Sequence, residues 1–391
     1  MRCAIAGANL LNHMTRALLP YLFILPSLAY SLVTLSAVRA FFRRKPMVEA
    51  TGFPVSIIKP IKGLDANSRQ NLESFCTQSY PGFQIVFALQ SQEDPCLPVV
   101  RELAADYPSL DIEIVINPAV HGSNGKVSNL INAFPYVKYD IIVIADSDVR
   151  VEADYLAKIA AYFSVPEIGL ATSLYRGAEV ASTATAIEAL GFTAEMMPNV
   201  IVAERLEGLS FALGASLAVR RKALEDIGGF ISLADYLADD YQLGNMVKKA
   251  GWQVALSGDF VESVMQRETL ADILARQLRW CRTMRVSRPL GYLASGITHP
   301  FPAIIASFAL AACWQAAFAA AVILYCFRGG ILTFFSRSCA RDSLLPGYLW
   351  LLPLRDALST ATWAAAFAGN SVRWRGETFI LKADGKMVKR G

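Results

Sequence analysis

The sequence predicts an α/β domain with a mostly parallel central sheet, held between membrane segments at both ends. Three observations predict it. Hydrophobic residues make up 54% of the 391 and the mean hydropathy is positive, which is not the composition of an ordinary soluble protein. Long uncharged apolar stretches sit near the two ends of the chain. Between them, short β-branched runs alternate with helical stretches, the pattern of strands buried on both faces and joined by helices. The expected organisation is an N-terminal anchor over residues 1–45, a globular domain over 46–285, and a C-terminal membrane region over 286–391 with two or three membrane segments and a basic tail.

The first segment is Ala17 to Val38, "ALLPYLFILPSLAYSLVTLSAV". At helical rise it is long enough to cross a hydrocarbon core of roughly 30 Å. It is too long for a signal-peptide core and no clear small-residue cleavage site precedes a mature start, so it reads as an uncleaved anchor. Arg39, Arg43, Arg44 and Lys45 follow at once, which by the positive-inside rule puts the carboxyl end of the span, and the domain after it, in the cytoplasm.

The middle opens with "VSIIKPI" (55 to 61), "FQIVFALQ" (83 to 90), "IEIVIN" (112 to 117) and "DIIVIAD" (140 to 146) as strands. "NSRQNLESFCTQ", "LPVVRELAADY" and "KVSNLINAF" lie between them as helices. No G-x-G-x-x-G follows the first strand, so a dinucleotide fingerprint is absent. The second half is mixed: a strand pair from "SLYRG" and "GLSFALGASLAVRRKALEDIGGF", a helix opening at "ADDY", then another strand. At the C-terminal end no charge occurs between Arg288 and Arg328, but "THPFP" at 298 to 302 interrupts any helix there, because Pro removes a donor and clashes with the preceding turn. A short interfacial or re-entrant piece is expected before that break and a spanning helix from about 303 to 327. A second candidate runs from about 344 to 369, where Arg355 and Asp356 should face protein or water rather than lipid.

Three acidic sites stand at the ends of elements. Asp65 follows a Pro and Gly turn after the first strand, Asp146 and Asp148 close the strand "DIIVIAD", and Asp239 and Asp240 begin a helix. Any one of them suits a cap or turn. A carboxylate pair outside the carboxyl end of a parallel strand also suits a hard divalent cation. "NGKVSNL" (124 to 130) places Lys126 beside a helix amino terminus, where anions are favoured. Downstream, arginines at 276, 279, 282, 285 and 288 form a basic band leading to the next apolar segment. Such a band suits lipid headgroups, while in "RQLRW" the forks of Arg276 and Arg279 suit a diphosphate and the indole of Trp280 suits a sugar or lipid face.

The three histidines, His13, His121 and His299, are too dispersed for a triad or a zinc site, so proton transfer falls to carboxylates. Seven scattered cysteines without a C-x-x-C pair read as buried free thiols. The net charge of +4 collects at membrane-proximal ends, which favours a lipid bilayer and excludes nucleic acid as partner. No obligate protein partner is implied.

The order "KPIKGLD", "NGKVSNL", "ADSD", "ADDY" and "RQLRW" closely resembles the ceramide glucosyltransferase family, glycosyltransferase family 21, of the GT-A fold. The likeness runs from about Val55 to the tail, where "VRWRGETFIL" also matches the family's C-terminal stretch. It implies that Asp65 contacts the uridine of a UDP-sugar and that Lys126 lies near the phosphates. Asp146 and Asp148 would hold Mg2+ or Mn2+ bridging the diphosphate. Some relatives have glycine in place of the second aspartate, so Asp148 either ligates or supports the ion. Asp240 would be the base, with Asp239 its neighbour, and Arg276, Arg279 and Trp280 would close the donor and acceptor pocket.

The implied reaction is metal-assisted and inverting. It moves a sugar, glucose by family expectation, to the hydroxyl of a membrane lipid such as ceramide. The implied enzyme is an integral membrane protein with a cytoplasmic catalytic domain, in the inner membrane if bacterial. Hopanoid or diacylglycerol acceptors, with another sugar such as N-acetylglucosamine, remain open. A processive polysaccharide synthase would need more crossings to export its polymer. An inactive nucleotide- or lipid-binding module would not need a base at Asp240.

Overall fold

The computed structural model describes residues 2–45, 47, 52–311 and 313–390. The chain forms two units, each assembled from separated segments. One comprises Met1–Phe42, Ala186–Val202 and Thr269–Asn370, the other Arg43–Thr185, Ala203–Glu268 and Ser371–Gly391.

The second unit holds the sheet. Its strands are β1 (Val55–Pro60), β2 (Phe83–Leu89), β3 (Asp111–Ile116), β4 (Ile141–Ala145), β5 (Val149–Arg150), β6 (Ile168–Ala178), β7 (Ser216–Arg220) and β8 (Gln253–Val264), in the spatial order β3-β2-β1-β4-β7-β6-β8-β5. The first four strands are parallel neighbours, β7 runs antiparallel between β4 and β6, and β6 pairs parallel with β8. The first four runs expected from sequence match β1 to β4 to within a residue or two.

Strand periodicity sends alternate residues to opposite faces. Ile57, Ile85, Phe87 and Val143 pack on one side with Leu72, Phe75 and Val100. Ile58, Val86, Ile142 and Ile144 pack on the other with Val127, Leu130 and Val247. Burial on both faces is what a continuous apolar strand requires, and helices Ser68–Cys76, Leu97–Asp106 and Gly125–Ala133 supply the cover.

The tail adds a small antiparallel sheet of β9 (Ser371–Trp374), β10 (Glu377–Leu381) and β11 (Met387–Lys389). Its tight turn is Arg375-Gly376, both residues at positive φ, as the twist of a two-residue hairpin demands. β11 reaches the loop before Asp239: Met387 N donates to Asp235 O at 2.8 Å, and Tyr236 pairs with Lys386.

The first unit is helical. Three helices among the described residues are long and apolar enough to cross a membrane: Leu18–Phe42, Thr183–Glu207 and Trp314–Ala340. The first matches the expected anchor. The second was not anticipated, because Glu188, Glu195 and Asn199 interrupt its apolar run. Within the unit those groups have partners: Glu188 takes both arms of Arg276, Glu195 pairs with Arg355, and Asn199 accepts from Tyr30.

The chain bends by 53° at His299-Pro300, between Pro289–Thr298 and Phe301–Leu310, where "THPFP" predicted a break. The expected span over 303–327 is divided, however. One helix ends at Leu310 and the long one begins at Trp314, with no Pro or Gly between them to account for the interruption. The 344–369 candidate forms shorter pieces, of which Leu352–Ala365 is the longest. Arg355 and Asp356 are buried there against protein partners, as expected for charges in an apolar region. Of the cysteines, Cys76 and Cys96 are buried free thiols, whereas Cys313 and Cys326 are exposed on or beside an apolar helix.

Candidate active site

β1 and β4 are neighbours, so the chain leaves both at the same edge of the sheet, and the residues that follow them meet there. Pro60 ends β1 and the loop carries Asp65; β4 ends at Ala145 and leads straight into Asp146-Ser147-Asp148. The two loops are tied by the intervening serine, whose Oγ donates to Asp65 Oδ2 at 2.5 Å. Gln266 Nε2 donates to the other oxygen at 3.1 Å. Asp148 accepts from Ser263 Oγ at 3.2 Å and is anchored through its carbonyl by Val264 N at 2.9 Å.

A second pair of loops brings the lysine and the third acidic site. Asn124 caps the helix Gly125–Ala133, its Oδ1 accepting from Lys126 N (2.9 Å) and Val127 N (3.1 Å). Its Nδ2 donates to Tyr236 O (2.8 Å) and Asp239 Oδ1 (3.2 Å), so one fully buried amide joins two loops distant in sequence. Their backbones lie so close that a Cβ on Gly122 would stand 2.6 Å from Ala234 O. Lys126 Nζ then lies 2.6 Å from Asp146 Oδ1 and 3.6 Å from Asp239 Oδ2. Asp239 and Asp240 open the helix Asp239–Lys249 as predicted. Asp240 rests against Gly214, where an added Cβ would meet its Oδ2 at 2.7 Å.

The electrostatics follow first from burial and then from gathering carboxylates around few cations. Burial, then Asp146 and Asp65, push Asp148 up to about 6. Burial, then Asp239, push Asp240 up to about 6. Burial also raises Asp65, partly offset by Ser147 and by Arg375 of the tail hairpin. For Lys126, burial alone would lower the ammonium, but Asp146 and Asp239 outweigh it and its pKa is raised.

One participant escaped the sequence reading. Lys59 is fully buried within β1, its Nζ donating to Asp146 O at 2.5 Å and lying 4.0 Å from the Phe75 ring centre. Burial lowers its pKa to about 7 in spite of three nearby aspartates. A lysine inside an otherwise apolar, doubly buried strand was the available signal.

Asp65, Lys126, Asp146, Asp148, Asp239 and Asp240 therefore lie within one unit. Arg276, Arg279 and Trp280 lie in the other, on the helix Leu270–Ser287, which starts with a Thr269–Asp272 capping box. Arg276 forks onto Glu188, lies 6.0 Å over Trp280, and Trp280 lies 6.1 Å from Phe192. His121, whose Nε2 is 2.8 Å from Asn132 Oδ1, has a structural contact.

Among the described residues no cluster of three or more His, Cys, Asp or Glu side chains forms a complete metal cage. The hard oxygens of Asp146 and Asp148 nevertheless suit magnesium or manganese, which are commonly held by one or two carboxylates with substrate phosphates completing the shell. Burial, and after it the charges of Asp146 and Asp65, raise Asp148, and a bound cation would favour its ionised form.

Comparison with known proteins bears on the fold and the family. Ceramide glucosyltransferase 1 of Caenorhabditis elegans is 30% identical over 204 residues, covering 52% of this chain and 44% of that protein. Ceramide glucosyltransferase 3 of the same organism is 27% identical over 258 residues, covering 66% and 56%. The chain thus spans about half the length of these relatives. The mannosyltransferase PcManGT from Pyrobaculum calidifontis, solved with GDP-Man and Mn2+, superposes with a TM-score of 0.54 at 17% identity over 90% of this chain and 99% of that one, which shows the GT-A fold. The family model for glycosyl transferase family 21 matches residues 19–387, with segments of both units inside the match: the chain belongs to that family.

Proposed function

We propose that the protein is an inverting, UDP-sugar-dependent hexosyltransferase of the membrane, moving a sugar, glucose first among candidates, to the hydroxyl of a lipid such as ceramide. The observation that carries the proposal is the meeting of Asp65, Asp146, Asp148, Asp239 and Asp240 around Lys126 at one edge of the sheet. That edge is where ligands bind in open α/β sheets. The relatives named ceramide glucosyltransferase support the lipid and the sugar.

Each side chain has a task that follows from its surroundings. Asp65 holds the uridine end of the donor. Lys126, a half-buried cation, faces the diphosphate and offsets charge as the leaving group departs. Asp146 and Asp148 would hold Mg2+ or Mn2+, whose chemistry is to neutralise the diphosphate; the Mn2+ in PcManGT supports that choice. Asp240 takes the proton of the acceptor hydroxyl while its oxygen attacks the anomeric carbon, the bond to the diphosphate breaks, and UDP leaves. One displacement inverts the configuration. By the family resemblance Arg276, Arg279 and Trp280 would serve the same reaction, and the basic run Arg39 to Lys45 supports a cytoplasmic catalytic domain.

Purified full-length protein in lipid vesicles tests this, crossing several UDP-sugars with ceramide, diacylglycerol and a hopanoid, with Mn2+ or Mg2+ or with neither. A single labelled glycolipid, lost by at least roughly a thousandfold in Asp240→Asn while UDP-sugar binding persists, is the expected result. Long polymer in place of a glycolipid, or no transfer to any lipid despite donor binding, overturns it.

A further inference from the structure

The tail sheet of β9, β10 and β11 has two unlike faces. Directly opposed residues of an antiparallel sheet share a face, so the register sorts the side chains. Val372, Phe379, Leu381 and Met387 share one face and are all buried, and Lys389 pairs with Glu377 at 2.5 Å on that side. The other face carries Ile380 opposite both Val388 and Ser371, and Thr378 opposite Arg373. Arg390 N donates to Thr378 O at 2.9 Å and Lys382 N to Lys386 O at 2.8 Å, which extends the same register to Arg390, Lys382 and Lys386.

That outer face is aliphatic at its centre and basic around it. Ile380 is 45% exposed and its cross-strand partner Val388 44%. Arg373, Lys382 and Arg390 are exposed and form no ion pair among the described residues, whereas Lys386 lies 5.7 Å over the Tyr236 ring. Among the residues sorted to this face there is no carboxylate. Asp384, in the turn before β11, accepts from Lys386 N at 3.1 Å.

A half-exposed aliphatic pair ringed by unpaired cations suits an anionic bilayer surface. Branched aliphatics sink below the headgroups, the long stems of Lys and Arg keep their charges at phosphate level, and each cation near a negative leaflet adds attraction. Nucleic acid suits the face less, since Ile and Val offer its bases no ring to stack on. The chain also enters β9 directly from the last segment of the helical unit, which ends at Asn370.

We propose that the outer face of the tail sheet docks on the anionic lipid headgroups of the bilayer. The proposal rests on the reading of the chain as a membrane protein and not on its sugar-transfer chemistry. Because β11 is bonded to Asp235 and Tyr236, in the loop that leads into Asp239, docking sets that loop at the membrane surface. Two aliphatic side chains bury little area, so the cations dominate and the contact is sensitive to salt.

The test uses the full chain in nanodiscs of phosphatidylcholine with about one third phosphatidylglycerol. A trace of one lipid or the other carries a diazirine near the glycerol, and crosslinked peptides are mapped by mass spectrometry. Phosphatidylglycerol should label peptides containing Ile380 or Val388 roughly fivefold more than phosphatidylcholine, and raising salt from about 0.05 to 0.5 M should at least halve that labelling. Arg373→Glu combined with Arg390→Glu should lower it roughly threefold or more, with UDP-sugar affinity retained as evidence of folding. The same charge change at Lys248 and Lys249, exposed at the end of the helix Asp239–Lys249, should leave it unchanged. Equal labelling by the two lipids, labelling that survives the Arg373 and Arg390 changes, or displacement of the lipid by inorganic phosphate or a short RNA overturns the proposal. Neither donor nor acceptor enters this measurement, so failed labelling leaves the proposed transferase standing, and failed sugar transfer leaves the docking face standing.

Discussion

Asp240 has two opposed effects, and both are measurable. Its folded pKa of about 6 lies above the value near 3.9 of an unfolded aspartate. Between those values the folded chain holds the proton more tightly, so stability falls as pH rises from about 4 to about 6. Under the proposed role of Asp240 as base, activity runs the other way, since a base must be ionised, and kcat/KM should rise with pH through an acid limb near 6. Asp240→Asn should therefore abolish that limb along with turnover and raise the unfolding midpoint at pH 7 by a few degrees; a lower midpoint would mean that the carboxylate stabilises the fold. Gly214 gives a second test. The 2.7 Å approach of an added Cβ to Asp240 Oδ2 predicts that Gly214→Ala displaces the proposed base and lowers kcat by roughly ten- to a hundredfold, with UDP-sugar affinity changed less than twofold by calorimetry.

The acidic sites are held by their elements more than by contacts with one another. The Gly125–Ala133 helix begins where it does because Asn124 satisfies two of its free amides, and the same side chain reaches Tyr236 and Asp239. Asn124→Ala should cost about 1–3 kcal/mol in thermal unfolding, the loss of a cap and of a buried amide's bonds, and should weaken donor binding because Lys126 loses its mount. Asn124→Asp separates the two effects: it keeps the cap acceptor but sets a second carboxylate beside Asp239, so donor affinity should fall further than stability. The tail hairpin is tied to the same loop through Met387 and Asp235, which explains why a basic stretch far along the chain belongs with the sheet.

Across the whole molecule, each unit draws on segments from the beginning, middle and end of the chain, and the family match runs through both. Three long apolar helices predict that the protein stays with the membrane pellet through alkaline carbonate extraction. With a cytoplasmic catalytic domain, protease should cut within residues 46–180 in inverted vesicles and not in right-side-out ones. The opposite protection pattern would reverse the proposed topology and place the site away from cytosolic sugar nucleotides.

The sequence by itself determined the strands β1 to β4, the long apolar helix near the N-terminus, the break at Pro300, and the acidic and basic positions in order. Each depends on local pattern: apolar runs buried on both faces, an uncharged span, a proline without a donor, carboxylates at element ends. Only the tertiary structure decided the rest. That Thr183–Glu207 is a helix long enough to span a membrane was hidden by Glu188, Glu195 and Asn199, whose apparent unsuitability ends once Arg276, Arg355 and Tyr30 meet them. The space Gly214 leaves for Asp240 likewise depends on residues far apart in the chain, and no local signal encodes such a distance.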